Sequence, residues 1–177
     1  MANVCINLGN YGSEVTQEAK NESTAGEVFK GSFHLKLDSA QRVTIPTDFK
    51  KIMDRRFSST ASEVVLLPGD GKVKVLPVPE WQKFQERLAT LPAFSKKANK
   101  VRGLVYGNLV ECTLDGQNRI KLSRSLCDLA GLTSEVYVVG QGDEMHIWDA
   151  TRWVEFSRET AKDMDDLLDE AFSAMSQ

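Results

Sequence analysis

Leu37-Asp38-Ser39-Ala40-Gln41-Arg42-Val43 and Leu114-Asp115-Gly116-Gln117-Asn118-Arg119-Ile120 are two versions of one segment, set 77 residues apart. Working outward at that offset, Phe49 and Ile52 fall on Leu126 and Leu129. Further on the offset drops to 72. There Glu63-Val64-Val65-Leu66-Leu67 lies over Glu135-Val136-Tyr137-Val138-Val139, and Trp81 and Phe84 lie over Trp153 and Phe156. The first copy therefore holds five extra residues, most simply within residues 54–62. A period this long is outside the solenoid range, so the chain reads as two copies of one half-domain, residues 33–84 and 110–156.

Within each copy the periodicity dictates the elements. Phe33, Leu35 and Leu37 alternate with His34 and Lys36, and Val43 and Ile45 alternate with Arg42 and Thr44, as in half-buried strands on either side of an Asp turn. Thr47 is expected to cap a short helix with Asp48 in its first turn and Phe49 and Ile52 facing inward. A hairpin follows, Val64–Leu67 with Val73–Leu76, reversed by the glycine-bearing run 68–72. Pro79-Glu80-Trp81 opens a helix that Pro92 ends, and Ser95 caps a basic one running to about Tyr106. The second copy repeats the plan as strand 110–114, turn 115–118, strand 119–122, helix 124–129 and hairpin 135–148. One helix is then expected from about Ala150, its acidic last turns carrying Met164, Leu167, Leu168, Ala171, Phe172 and Met175 at helical spacing. The divisions that follow are a mobile tail (1–28), a first repeat with its helix (29–95), a basic helix with the second repeat (96–156) and an acidic C-terminal helix (157–177).

Composition narrows the function. The 177 residues are 41% hydrophobic and 27% charged, as in a soluble protein with one fair-sized core. The net charge of −3 hides a division: residues 1–28 hold four acids and one base, residues 155–177 seven acids and two bases, and the body between has 19 bases against 14 acids. A basic body between acidic ends suits a polyanionic partner without proving one. Cys5, Cys112 and Cys127 form no Cys-x-x-Cys pair, which points to a reducing cytoplasm. No run of signal-peptide or membrane-spanning length is read, and no membrane or small-molecule partner is expected. His34 and His146 lack ligand-spaced neighbours, and no phosphate-binding glycine loop occurs, so no metal or cofactor is expected.

The repeated Asp-x-x-x-Arg motif has a direct physical reading. Asp38 and Asp115 at the first turn position can accept backbone N–H groups further along, holding each reversal. Arg42 and Arg119 then start the return strands on the polar face. If each pair of flanking strands forms a ribbon, Lys36 stands beside Arg42, and Arg119 beside Lys121, over an apolar underside. The major groove admits such a ribbon, with Arg reading guanine and Lys meeting phosphate. The competing reading makes both arginines surface ion-pair partners of nearby acids. Guanidinium groups locked onto carboxylates would count against the DNA reading.

Taken together, Val28-Phe29-Lys30-Gly31, Leu37-Asp38-x-x-x-Arg42-x-x-x-Pro46, Pro79-x-Trp81, the basic helix, Leu114-Asp115-x-x-x-Arg119 and Gly131-Leu132-x-x-x-Val136 resemble the MraZ family over about residues 28–156. The resemblance implies a mixed α+β, β-rich fold. It would consist of two pseudo-symmetric AbrB-like, double-psi-type swapped-hairpin β-barrel half-units with short helices, in chains that assemble into a ring. It implies a sequence-specific, DNA-binding transcriptional regulator, cytoplasmic and nucleoid-associated, acting on repeats upstream of the division and cell-wall gene cluster. The DNA-contacting arginines of the family fall on Arg42 and Arg119, with Lys36 and Lys121 beside them. This chain departs from the family where Gln41 and Asn118 replace the glycine before each Arg, and where Ala40 replaces a lysine. Gln enters the left-handed region poorly, which leaves open another turn type before Arg42.

Assembly has a case of its own. A half-unit of four short strands encloses little core, so the copies should interlock about a pseudo-twofold axis, and head-to-tail contacts between chains can close a ring. Two rival functions stand beside the regulator. Paired Asp residues in pseudo-symmetric halves resemble an aspartic-protease dyad, though a cation four residues on would keep each carboxylate ionised. The acidic C-terminal stretch would suit an antitoxin-like protein-interaction module.

Overall fold

A computed structural model describes residues 27–175, so the tail expected over most of 1–28 lies outside the described residues. Strands β1 (Ser32–Lys36) and β2 (Arg42–Thr44) flank the Asp38 turn and lead to helix α1 (Thr47–Phe57). A hairpin of β3 (Glu63–Gly69) and β4 (Lys72–Pro77) follows, then α2 (Val78–Ala89) and α3 (Lys96–Asn108). The order recurs as β5 (Val110–Thr113), β6 (Arg119–Lys121), α4 (Arg124–Ala130), β7 (Glu135–Gln141), β8 (Glu144–Asp149) and α5 (Ala150–Thr160), with α6 (Met164–Ala174) last. Among the described residues no helix is long and apolar enough to cross a membrane.

The pairing of the strands corrects the ribbon expectation. β1 does not pair with β2, nor β5 with β6; the strands form an antiparallel sheet in the order β1-β7-β8-β4-β3-β5 and a separate β2-β6 pair. Each copy thus sends its first strand to the other copy's hairpin: β1 runs along β7 from Ser32 opposite Val139 to Lys36 opposite Glu135, and β5 runs along β3. The exchange is explained by length. β2 and β6 offer three residues each, whereas β7 and β3 offer a longer ladder for the backbone groups of β1 and β5. The closed barrel is corrected as well: the sheet is open, because the exchange sends β1 and β5 to opposite edges.

The interlock is symmetric in register. Lys74 and His146, equivalent at the offset of 72, face each other where β4 meets β8, and Val43 and Ile120, equivalent at 77, face each other where β2 meets β6. Ile45 N donates to Asn118 O at 2.8 Å and the matching Leu122 N to Gln41 O at 2.9 Å. A local twofold axis therefore passes through both pairings, and one core draws on both copies, including Val43, Phe49, Val64, Ile120, Leu126 and Val136.

Three local details differ from the sequence expectation or refine it. The five extra residues of copy one make α1 longer than α4 (11 residues against seven) and add a 3-10 turn at Ser58–Thr60. Thr47 does not cap α1: Pro46 occupies the cap position, its fixed φ leading straight into the first turn, and Asp48 sits in that turn. The C-terminal helix is two helices, with 161–163 between α5 and α6, and no glycine or proline marks the break.

The segment before β1 is held by close backbone approach. Phe29 N donates to Gly142 O at 2.8 Å, and Gly140 N to Gly31 O at 2.8 Å. A Cβ on Gly140 would come within 2.3 Å of the Phe29 carbonyl carbon, so only glycine fits there.

Candidate nucleic-acid interface

Alternation along β2 and β6 buries Val43 and Ile120 and turns Arg42, Thr44, Arg119 and Lys121 to the opposite face. Antiparallel pairing sets Arg42 opposite Lys121 and Thr44 opposite Arg119. The cationic face is therefore one ribbon with a strand from each copy, where one ribbon per copy was expected. Thr44 belongs to it but carries no charge to draw notice; the period-two pattern, which sets it beside Arg42, was the signal.

Lys36 does not join this face. Because β1 pairs with β7, the residue opposite Lys36 is Glu135, and its Nζ lies 2.8 Å from Glu135 Oε1. The hydrogen bond and charge of Glu135 raise the Lys36 pKa, and the same bond lowers that of Glu135. The expected Lys36–Arg42 pair is replaced by an ion pair across the sheet edge.

The two motif turns are built alike. Asp38 Oδ1 accepts from Ala40 N at 2.8 Å and Arg42 N at 2.9 Å; Asp115 Oδ1 accepts from Gln117 N at 2.9 Å and Arg119 N at 3.0 Å. Gln41 has φ 58° and Asn118 φ 57°, so both turns use the left-handed region and the first is of the same type as the second. The two carboxylate bonds to each turn's backbone hold Gln41 in a conformation that costs a non-glycine residue about 1–2 kcal/mol.

Neither arginine is unpaired, which corrects the expectation of guanidinium groups left to point away from the protein. Arg42 Nε donates to Asp38 Oδ2 at 2.7 Å. Arg119 Nε donates to Asp115 Oδ2 at 2.9 Å, its Nη2 stands 2.8 Å from the same oxygen, and its Nη1 lies 3.7 Å from Asp38 Oδ2. The side chains are 38% and 25% exposed respectively. The Arg42 backbone N–H is the main cause lowering the Asp38 pKa, and the Arg119 side-chain bond the main cause bringing Asp115 down to about 2. Asp115 in turn raises the pKa of Arg119. Each carboxylate is thus held ionised by its own arginine, the reverse of two carboxylates sharing one proton.

What the face can do chemically follows from which N–H groups remain. Arg42 commits only Nε, so its Nη1–Nη2 edge is open, oriented by the bond at its base. Arg119 commits Nε and Nη2, leaving Nη1 between two carboxylates. Lys121 is exposed and has no ion-pair partner among the described residues. The basic helix α3 lies apart from the ribbon, with Lys96, Lys97 and Lys100 exposed.

Comparison with known proteins places this architecture. The family model for the MraZ protein, described as antitoxin-like, matches residues 105–173. A protein of Nitratidesulfovibrio vulgaris named transcriptional regulator MraZ is 38% identical over 143 residues, covering 81% of this chain and 93% of the relative. Proteins of the same name from Thioalkalivibrio sulfidiphilus and Lactobacillus gasseri are 34% and 32% identical, covering 78% and 81% of this chain and 91% and 96% of theirs. Similarity of that extent, on a chain that carries both Asp-x-x-x-Arg turns, shows that it belongs to the MraZ family.

Proposed function

We propose that this chain is a sequence-specific DNA-binding transcriptional regulator that meets double-stranded DNA through the outer face of the β2/β6 ribbon. The observation that carries the reading is the arrangement of Arg42, Arg119, Lys121 and Thr44 over buried Val43 and Ile120, a rigid two-stranded ribbon narrow enough for the roughly 12 Å major groove. Arg42 is the residue for base contact: its Nη edge suits the two acceptors of guanine, and Asp38 fixes its aim. Lys121 takes a phosphate. Arg119 exchanges part of its hold on Asp115 for the DNA backbone.

The same ion pairs set a limit on each copy. Asp38 and Asp115 cancel most of the charge of Arg42, Arg119 and Lys121, so one chain offers DNA little net attraction. Several chains on successive repeats sum weak contacts through effective concentration, which is why a homo-oligomer, a ring by family resemblance, belongs to the proposal. The site of action is cytoplasmic and nucleoid-associated, on repeats upstream of the division and cell-wall gene cluster. The test is a salt-titrated shift assay on DNA upstream of the protein's own gene, with Arg42→Ala/Arg119→Ala beside the wild type. Loss of the complex without loss of assembly is expected; retained binding would remove the ribbon as the interface.

An antitoxin-like protein-interaction role is the second reading, favoured by the exposed acidic helix α6. A one-to-one complex with a basic protein, surviving Arg42→Ala, would support it over the first.

A further inference from the structure

Helices α3 and α6 hold matching places, each following the long helix of its copy, yet they carry opposite charge. α3 exposes Lys96, Lys97 and Lys100; α6 exposes Asp165, Asp166, Asp169 and Glu170. None of these has an ion-pair partner among the described residues. Both helices also expose apolar side chains on one side: Val101 and Leu104 on α3, and Met164, Leu167 and Leu168 on α6. The α3 residues, with Leu129 of α4, line an apolar groove of about 540 Å³ that also includes Leu67 and Phe84. Helical spacing sets Lys97 and Lys100 one turn before Val101 and Leu104, at the same side of that groove. Every residue of α6 is exposed, with Leu167 at 45% and Leu168 at 40%, which leaves its apolar side open to a further contact.

We propose that α6 of one chain docks in the α3 groove of a second copy of this chain. Leu167 and Leu168 would lie against Val101, Leu104 and Leu129, with Asp169 and Glu170 beside Lys97 and Lys100. The apolar lining favours an amphipathic helix over a nucleic acid, and the opposite charges of two surfaces on the same chain favour a second copy over an unrelated partner. The two surfaces differ, so the contact is heterologous: each chain gives one helix and receives one, and the series closes into a ring if the rotation allows. This inference rests on the self-assembly part of the reading above and names its contact; it is independent of the DNA part.

Sedimentation velocity on the full chain without DNA tests it, using the wild type, Asp169→Lys/Glu170→Lys, Lys97→Glu/Lys100→Glu, and an equimolar mixture of the two variants. The wild type should sediment as a multiple of the 19.7 kDa chain. Each variant alone should fall to a single chain, because the side chains meeting at 169/170 and 97/100 then share one sign. The mixture should reassemble, since the altered α6 of one variant matches the altered α3 of the other. A variant that assembles like the wild type, or a mixture that stays apart, overturns the docking. A single-chain wild type overturns self-assembly itself. If Lys97→Glu/Lys100→Glu loses DNA binding yet assembles normally, the groove takes DNA and the proposal also fails.

Discussion

The two copies agree strand for strand and disagree in the helices laid over them. Their sheet positions match down to register, and equivalent core residues are buried in both: Leu67 and Val139, Leu76 and Trp148. Outside, Trp81 of α2 is 6% exposed, enclosed by Phe84, Leu88 and Val105 with Tyr106 edge-on at 6.2 Å. Its equivalent Trp153 is half-buried, touching Tyr137, Trp148 and Phe156 of its own layer, and Phe156 is exposed. Copy one has α3 folded over this layer, with Val105 buried beside Trp81, whereas every residue of α6 in copy two is exposed. Register is what folding requires of both copies; the outer layer is where one copy closes the structure and the other leaves surface for association.

The largest test of this difference is truncation of the equivalent tryptophans. Trp81→Ala should cost about 3–5 kcal/mol in chemical denaturation at fixed chain concentration, and Trp153→Ala only about 1–2 kcal/mol. Equal losses would mean that the two outer layers are equally covered. A second asymmetry lies in the extra turn of copy one. Arg56, 12% exposed, donates to Glu27 O at 3.0 Å, Glu80 at 3.3 Å and Asp143 at 2.7 Å, tying the chain before β1 to α2 and to the β7–β8 turn. Arg56→Ala should lower stability by about 2–3 kcal/mol, and a loss near zero would leave the insertion without a structural role.

The motif turns, alike in both copies, allow a pH test. Both Asp38 and Asp115 have lowered pKa values, Asp115 about 2 against an ordinary 3.8. Stability from Asp115 is therefore fully present above its unfolded pKa and lost as the pH falls from about 4 through about 2. Asp115→Asn should flatten the acid limb of the stability profile in that window; an unchanged limb would assign acid sensitivity to other carboxylates. The smallest effect compares the left-handed positions. Gln41→Gly should stabilise by about 1 kcal/mol, and Asn118→Gly by only a few tenths, because Asn adopts positive φ more easily than Gln. The opposite order in thermal melts would show that Gln41 is unstrained.

Much of this was legible in the sequence, for identifiable reasons. Alternation and turn residues located every strand of the described residues, and the offset of 77 paired the two Asp turns. Strand partners were not legible: a four-residue turn between two alternating runs looks like a hairpin, and nothing local says that β1 prefers β7. That one ambiguity misplaced Lys36, whose partner depends on which strand lies opposite. The Asp-x-x-x-Arg spacing allowed both an outward guanidinium and an ion pair, and the folded chain forms the pair. The break before α6 had no glycine or proline to announce it.

If Arg42 reads bases while Lys121 holds phosphate, discrimination measured against salt separates the two. For the assembled wild type, affinity should fall steeply with salt and favour the repeats over a scrambled duplex. Arg42→Ala should lose that preference while keeping most of the salt slope, and Lys121→Ala should keep the preference while flattening the slope. An Arg42→Ala protein that still distinguishes the repeats from the scrambled duplex as the wild type does would contradict the account.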